Sequence, residues 1–413
     1  MKKLLRNKFK KILFIMTIIG PGLITVNAGN DAGGITTYAS VGASYGYKML
    51  WGLLLITFSL AVIQEMNARM AVVTGKGLSD LIREKFGVKL TFFAMTILLI
   101  ANMGVVFGDF AGIAASLELF NISKYISIPI VSAAIWLVVT KGSYKKVENI
   151  FLLFTFVFFT YIISAFLTKP DWGHVAQSMV SPTIELNTGF ILTFIGMIGT
   201  TITPYMQFYL QSSIVDKKIS LSEYKYEKVD VYLGSFWGNA VSFFIIVCTA
   251  ATLYKAGITI TSAEEAAMAL KPLAGEWAFI LFGGGLFGAS VLATAVIPLS
   301  TSYAICEAFG WESGVDHDYK DAPAFFGIYT GIIILGALFI LIPGISLIKI
   351  ILISQQIAGI LSPIILIFMI ILINDKRIMG DYVNNKIQNI ISWGTVIFII
   401  TLSVILVISP FIS

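Results

Sequence analysis

The chain has 413 residues, 57% of them hydrophobic and 12% charged, with a mean hydropathy of +0.88 and a formal net charge of +5. A soluble domain carries about 25% charged residues, so half the charge needed to cover a globular surface is present. A soluble enzyme, a nucleic-acid-binding domain and, with only Cys248 and Cys306, a disulfide scaffold are excluded.

In chain order, apolar blocks long enough to cross a bilayer core of about 30 Å predict eleven spans. They lie at 11–45, 48–74, 90–120, 123–140, 146–168, 187–215, 229–254, 275–308, 323–342, 346–373 and 388–411. The basic N-terminus MKKLLRNKFKK runs straight into the first of them, which reads as a span rather than a cleaved leader. Ser262–Leu270 reads as a short amphipathic helix in an outer loop, and 169–186 and 311–321 read as loops. No separate domain is visible, so 1–413 is a single all-α, polytopic transmembrane domain. With the N-terminus in the cytoplasm, the inner segments hold 21 Lys and Arg and the outer ones 6, which fixes the orientation by the positive-inside rule and puts the C-terminus outside. The positive net charge is therefore a topology signal, not a footprint for nucleic acid.

A helix within the bilayer satisfies its own backbone, so breaks at mid-membrane occur where a cavity or other protein surrounds them. Two spans carry such breaks. The first reads GPGLITVNAGNDAGGITTYA, with Gly20, Pro21 and Gly22 early and Asp31 among small residues at its centre. The sixth reads GMIGTTITPYMQFYLQ, with Gly196, Gly199, Thr200, Thr201, Thr203 and Pro204 at its centre. Five spans apart, these positions are equivalent in two inverted halves, the arrangement of a transporter site near the midplane. Small residues alone could serve helix packing, but a mid-membrane aspartate costs about 2.5–3.5 kcal/mol and needs another reason. A carboxylate beside freed carbonyls, such as those of Gly29, Asp31 or Thr200, suits a cation; a substrate carboxylate would want free N–H groups without a fixed anion.

The segment Gly20–Trp51, carrying GPG, DAGG, GASYGY and LW in order, resembles the Nramp family of divalent metal transporters. So do ARMAVVTGKGLSDLIREKFG at Ala68–Gly87, TTITPYMQFYLQS in the sixth span and SQQ at Ser354–Gln356. The resemblance implies a LeuT-like fold: an inverted repeat of spans 1–5 (1–170) and 6–10 (187–374), with helices 1 and 6 broken and an eleventh helix at 388–411. It also implies a metal site built from the aspartate and asparagine of the first break, a methionine sulfur of the sixth and a nearby carbonyl. Asp31 falls on the family aspartate, Gly34 on its asparagine, Thr203 on its methionine and Tyr205 on its histidine, with Thr200 at the carbonyl position. In the third span Asp109 is kept and Gly112 stands where a glutamate is usual.

Each departure has a chemical direction. A thioether favours soft ions, so Thr203 leaves an all-oxygen site, and Gly34 removes a ligand and makes room. Mg²⁺ keeps several of its waters when bound, so a larger, harder site suits it, as in the Nramp-related magnesium transporters, a bacterial branch this chain resembles. Tyrosine titrates near pH 10 and cannot relay protons in place of histidine, and Gly112 removes a second titratable group. The expectation is a bacterial plasma-membrane importer of partly hydrated Mg²⁺, also passing Mn²⁺, working by uncoupled alternating access as a monomer. Asp31, Gly34, Thr200, Thr203 and Gln355 would form its metal site, Tyr205, Asp109 and Gly112 would mark the coupling pathway, and no cofactor would be involved. A proton-coupled Mn²⁺/Fe²⁺ importer and an organic-cation or amino-acid carrier of the same fold are the alternatives. Glu65 and Arg69 read as an i,i+4 pair, Glu118 and Glu307 as solvated span ends, and Asp316-His317-Asp318 as a solvated loop.

Overall fold

The computed structural model describes residues 29–141, 159–315 and 317–412. Gly20–Gly22, the first parts of the first and fifth spans, and Asp316 lie outside them. The described residues form α1 (Ala32–Tyr45), α2 (Leu50–Thr74), α3 (Leu78–Glu118), α4 (Lys124–Thr140), α5 (Phe159–Leu167), α6 (Thr188–Thr201) and α7 (Pro204–Asp216). They continue with α8 (Tyr224–Thr249, extended by a π turn to Tyr254), α9 (Ala278–Phe309), α10 (Pro323–Ile340), α11 (Leu347–Ile373) and α12 (Lys386–Ile412). Eight helices among them are long and apolar enough to cross a membrane, counting α6 with α7 and α8 with its π turn. These fall on expected spans 2, 3 and 6–11, while α4 falls on span 4 and α1 and α5 are the described ends of spans 1 and 5.

The core is built around α3, which packs along both α9 and α11, while α11 also lies along α6, and α8 along α1 and α2. Glycines permit the closest approach. A Cβ at Gly199 of α6 would collide with the Gln355 carbonyl and with Gly359 of α11, and one at Gly359 would collide with the Ile195 carbonyl. These two helices therefore meet backbone to backbone, as small residues allow in a membrane interior.

Several local features depart from the sequence reading or add to it. The 169–186 connection is not all loop: Trp172–Val180 is helical because Asp171 caps it, its carboxylate accepting the Gly173 N–H at 2.9 Å and the His174 N–H at 3.1 Å. The third span is preceded by a helical segment from Leu78, set off from it at Gly87, where φ of +72° breaks the ladder. Glu307 is not a free end; it packs against Gly77 so closely that a Cβ there would strike its carboxylate. The amphipathic helix expected at Ser262–Leu270 is present, started by a Ser262–Glu265 capping box, but Ala266, Ala267, Ala269 and Leu270 are fully buried, so it seats into the bundle.

Candidate metal site

Both expected breaks bear on one place. Asp31 is the N-cap of α1, in extended backbone, and its Oδ1 accepts the Gly34 N–H at 2.8 Å. The carboxylate is 3% exposed. The Asp31 carbonyl, read from sequence as a possible ligand, takes the first helical hydrogen bond from the Ile35 N–H at 3.1 Å.

In the sixth span the break follows from one residue. Pro204 has no N–H, so the Thr200 carbonyl has no helical donor four residues on, and α6 stops at Thr201 before α7 begins at Pro204. Thr203 fills the gap: its hydroxyl donates to the Gly199 carbonyl at 2.9 Å and the Thr200 carbonyl at 3.1 Å. A hydroxyl has one proton and two lone pairs, so Thr203 Oγ1 remains able to face a cation after that proton is used.

Gly34 is where the halves touch. A Cβ there would overlap the Gly29 carbonyl and come within 3.4 Å of the Thr200 hydroxyl. The space left by the missing side chain is thus taken by the chain's own oxygens rather than left open, which revises the sequence expectation of a simple enlargement. Gln355 reaches the same place from α11, its amide lying against Gly33 where a Cβ could not fit, and Nε2 donating to Ser354 Oγ at 3.2 Å. Asp31, Gly34, Thr200, Thr203 and Gln355 therefore converge.

The third span closes another side. A Cβ at Gly112 would overlap Ala32 Cβ and Ser290 Oγ, so a glutamate side chain has no room there without displacing α1. Asp109, one turn earlier on the same face and 1% exposed, faces the Ala32 N–H and the Asp31 charge, and no side chain among the described residues bonds its oxygens. Two buried carboxylates near one another suit a cation beside them. Tyr205 is fully buried at the start of α7 and its hydroxyl has no partner among the described residues. One turn on, Tyr209 opens onto a cavity of about 410 Å³ between the far ends of α7 and α9, lined also by Ser213, Asp216, Ser300 and Glu307.

Supporting contacts come from Thr201 and Asn30, which the sequence reading weighed, and from residues it did not single out. Tyr38 of α1 shares a 2.8 Å hydrogen bond with Thr201, whose own proton goes to the Met197 carbonyl at 2.6 Å. Asn67 of α2 donates to Gln207 of α7 at 2.5 Å. Ser290 sits in a run of small residues with nothing local to mark it. Asn30 takes a long hydrogen bond of 3.5 Å from Ser242, the interhelical role its position suggests.

The sequence matches the family described as natural resistance-associated macrophage protein-like over residues 22–409. The chain belongs to the Nramp family. Among similar Nramp relatives, the divalent metal cation transporter MntH of Bacillus subtilis (strain 168) is 24% identical, over 98% of this chain and 95% of its own length. The MntH of Clostridium acetobutylicum is 26% identical, over 95% of this chain and 90% of its own length. Both are named as transporters, not as enzymes. A solved manganese transporter of Eremococcus coleocola, in complex with an aromatic bis-isothiourea compound, superposes with a TM-score of 0.74 at 17% identity, covering 94% of this chain and 85% of that one. Mhp1, a nucleobase-cation-symport-1 family transporter, superposes at 0.58 with 14% identity over 87% of this chain and 78% of its own. These likenesses show the fold, which is LeuT-like as the Nramp resemblance implied.

Proposed function

We propose that this Nramp protein imports divalent cations across the bacterial plasma membrane, with Mg²⁺ as principal substrate and Mn²⁺ also carried, by alternating access without proton coupling. The N-terminus lies in the cytoplasm and the C-terminus outside, and one monomer is the working unit. Residues 1–170 and 187–374 act as the two inverted repeats of a single domain, with the eleventh helix at 388–411 outside them. The naming of its relatives as divalent metal cation transporters supports the ion class. The preference for a hard ion rests on one observation: the donors gathered around Asp31 are oxygens and an amide, with Thr203 where the family carries a thioether. Asp31 supplies the charge, Thr203 and the Thr200 carbonyl face the ion or its waters, and Gln355 closes the site from α11. The absence of coupling rests on Tyr205 and on the lack of space at Gly112, which leave Asp109 as the carboxylate beside the site.

Proteoliposome uptake, following Mg²⁺, Mn²⁺ and internal pH together, tests the reading. Mg²⁺ entry without acidification, lost in Asp31→Ala, is the expected result. Mn²⁺ entry with acidification and no Mg²⁺ entry would replace it with the proton-coupled Mn²⁺/Fe²⁺ alternative.

A further inference from the structure

We propose that the cleft where α11 and α12 meet holds the headgroup of an anionic phospholipid. Its volume is about 620 Å³, and it sits where α11 leaves the apolar part of the bundle: Ile370 and Ile371 give way at once to Asn374, Asp375, Lys376 and Arg377. Across from them Trp393 of α12 is 39% exposed, an aromatic at the level where a membrane interface places such rings.

The floor of the cleft is rigid. Asn374 and Asn389 exchange reciprocal amide hydrogen bonds of 2.8 and 2.9 Å, joining the end of α11 to the first turn of α12. Asn384 donates to the same Asn389 oxygen at 3.1 Å and accepts from Arg69 of α2 at 2.5 Å. The charge on the rim is unbalanced. Asp375 is already engaged, pairing with Lys85 and accepting the Arg377 N–H at 2.9 Å. The side chains of Lys376 and Arg377 are exposed and make no ion pair or hydrogen bond among the described residues. Two exposed cations over an apolar wall, of which Arg377 also feels the Asp375 charge, suit a ligand with an anionic phosphate at one end and hydrocarbon at the other. Guanidinium binds phosphate oxygens in a fork, and basic pockets between spanning helices are a known form of headgroup site. A soluble anion would make no use of Ile371 and Trp393.

The test uses the full-length protein in nanodiscs, with native mass spectrometry counting retained phosphatidylglycerol against phosphatidylcholine. Neutralising Lys376→Gln with Arg377→Gln should lower the preference for phosphatidylglycerol by about 30-fold, the worth of two surface charges. Lys225→Gln with Lys228→Gln, an equal charge change on exposed lysines of α8, should leave it unchanged. Trp393→Ala, with both charges kept, should weaken retention of the lipid without creating a preference for inorganic phosphate. The proposal fails if the α8 variant loses as much as the cleft variant, if inorganic phosphate displaces the lipid, or if the unaltered protein shows no preference. Binding in a nanodisc does not depend on which ion is carried or on which way the chain crosses the cell membrane, so its failure and that of the transport reading are separable.

Discussion

At Thr203 a single atom sets both structure and chemistry. Its hydroxyl proton serves the Gly199 carbonyl and the Thr200 carbonyl that Pro204 leaves without a helical donor, and its lone pairs are what a hard cation would meet. Replacing it with methionine should turn the preference toward soft ions. Competition uptake is expected to show Mg²⁺ entry reduced on the order of tenfold relative to Cd²⁺ and Mn²⁺, about the worth of one contact to a charged group. Gly34 predicts a different kind of failure. An asparagine there supplies the donor the wider family has, yet its Cβ would meet the Gly29 carbonyl. Gly34→Asn should therefore lose uptake of every divalent ion rather than exchange one selectivity for another, and overpacking of this sort costs about 1–3 kcal/mol of stability, readable as a lowered melting temperature. Restored Mn²⁺ selectivity in Gly34→Asn would show that the Gly29 backbone gives way easily.

Between elements, one end of the helix bundle is held by a buried charge rather than by apolar packing alone. Arg69 pairs with Glu65 at 3.1 Å and donates to the Tyr382 and Val383 carbonyls at 3.0 and 3.1 Å. Glu65 in turn accepts from Tyr224 of α8 and from Gln388 of α12 at 2.9 Å. The pair expected from the i,i+4 spacing is thus the centre of a clasp joining α2, α8, α12 and the segment before α12. Arg69→Ala leaves Glu65 buried without its cation and should cost about 3–5 kcal/mol, seen as a large drop in thermal stability in detergent. At the other end, Lys48 after α1 and Glu185 before α6 form an exposed pair at 2.6 Å. The hydrogen bond from Lys48 holds the Glu185 carboxyl below its ordinary value. A depressed carboxyl stabilises the fold above its unfolded pKa and loses that contribution as pH falls through the folded one. A small acid-side loss of stability, reduced in Lys48→Ala to the part that the Asn187 amide still supplies at 3.0 Å, is the expected melting profile between about pH 5 and pH 3. High salt should diminish it.

For the whole molecule the consequence is energetic. A divalent ion entering an inside-negative compartment gains about 4.6 kcal/mol per 100 mV, twice the single-charge figure, so an uncoupled carrier needs no proton. Uptake into proteoliposomes clamped with a potassium gradient and valinomycin should rise with inside-negative potential and stay unchanged when a pH gradient is imposed or collapsed. A rate that follows the pH gradient at fixed potential would mean that Asp109 carries protons after all.

The sequence by itself determined the membrane class, the eight crossing helices seen among the described residues and the places where the first and sixth spans lose helical structure, because each depends on neighbours along the chain. A run of apolar side chains fixes a crossing helix, a proline removes its own N–H, and an aspartate at mid-span is costly wherever the rest of the protein lies. Family motifs carried the LeuT-like architecture further than periodicity could, since helices buried on every side show little amphipathic contrast. The sequence also marked Asp31, Thr203 and Gln355, though not how they are held. Only the tertiary structure placed the Gly29 carbonyl in the space beside Gly34, Gln355 against Gly33, Ala32 and Ser290 against Gly112, and Asn384 under Arg69. In several of these the partners are more than 100 residues apart, and each contact exists because glycine lets two backbones meet or because one buried polar group must find another. The helix at Trp172–Val180 and the break at Gly87 lie between these cases. Asp171 and Gly87 are local signals, a capping carboxylate and a residue free to take positive φ, that the length of an apolar run does not register.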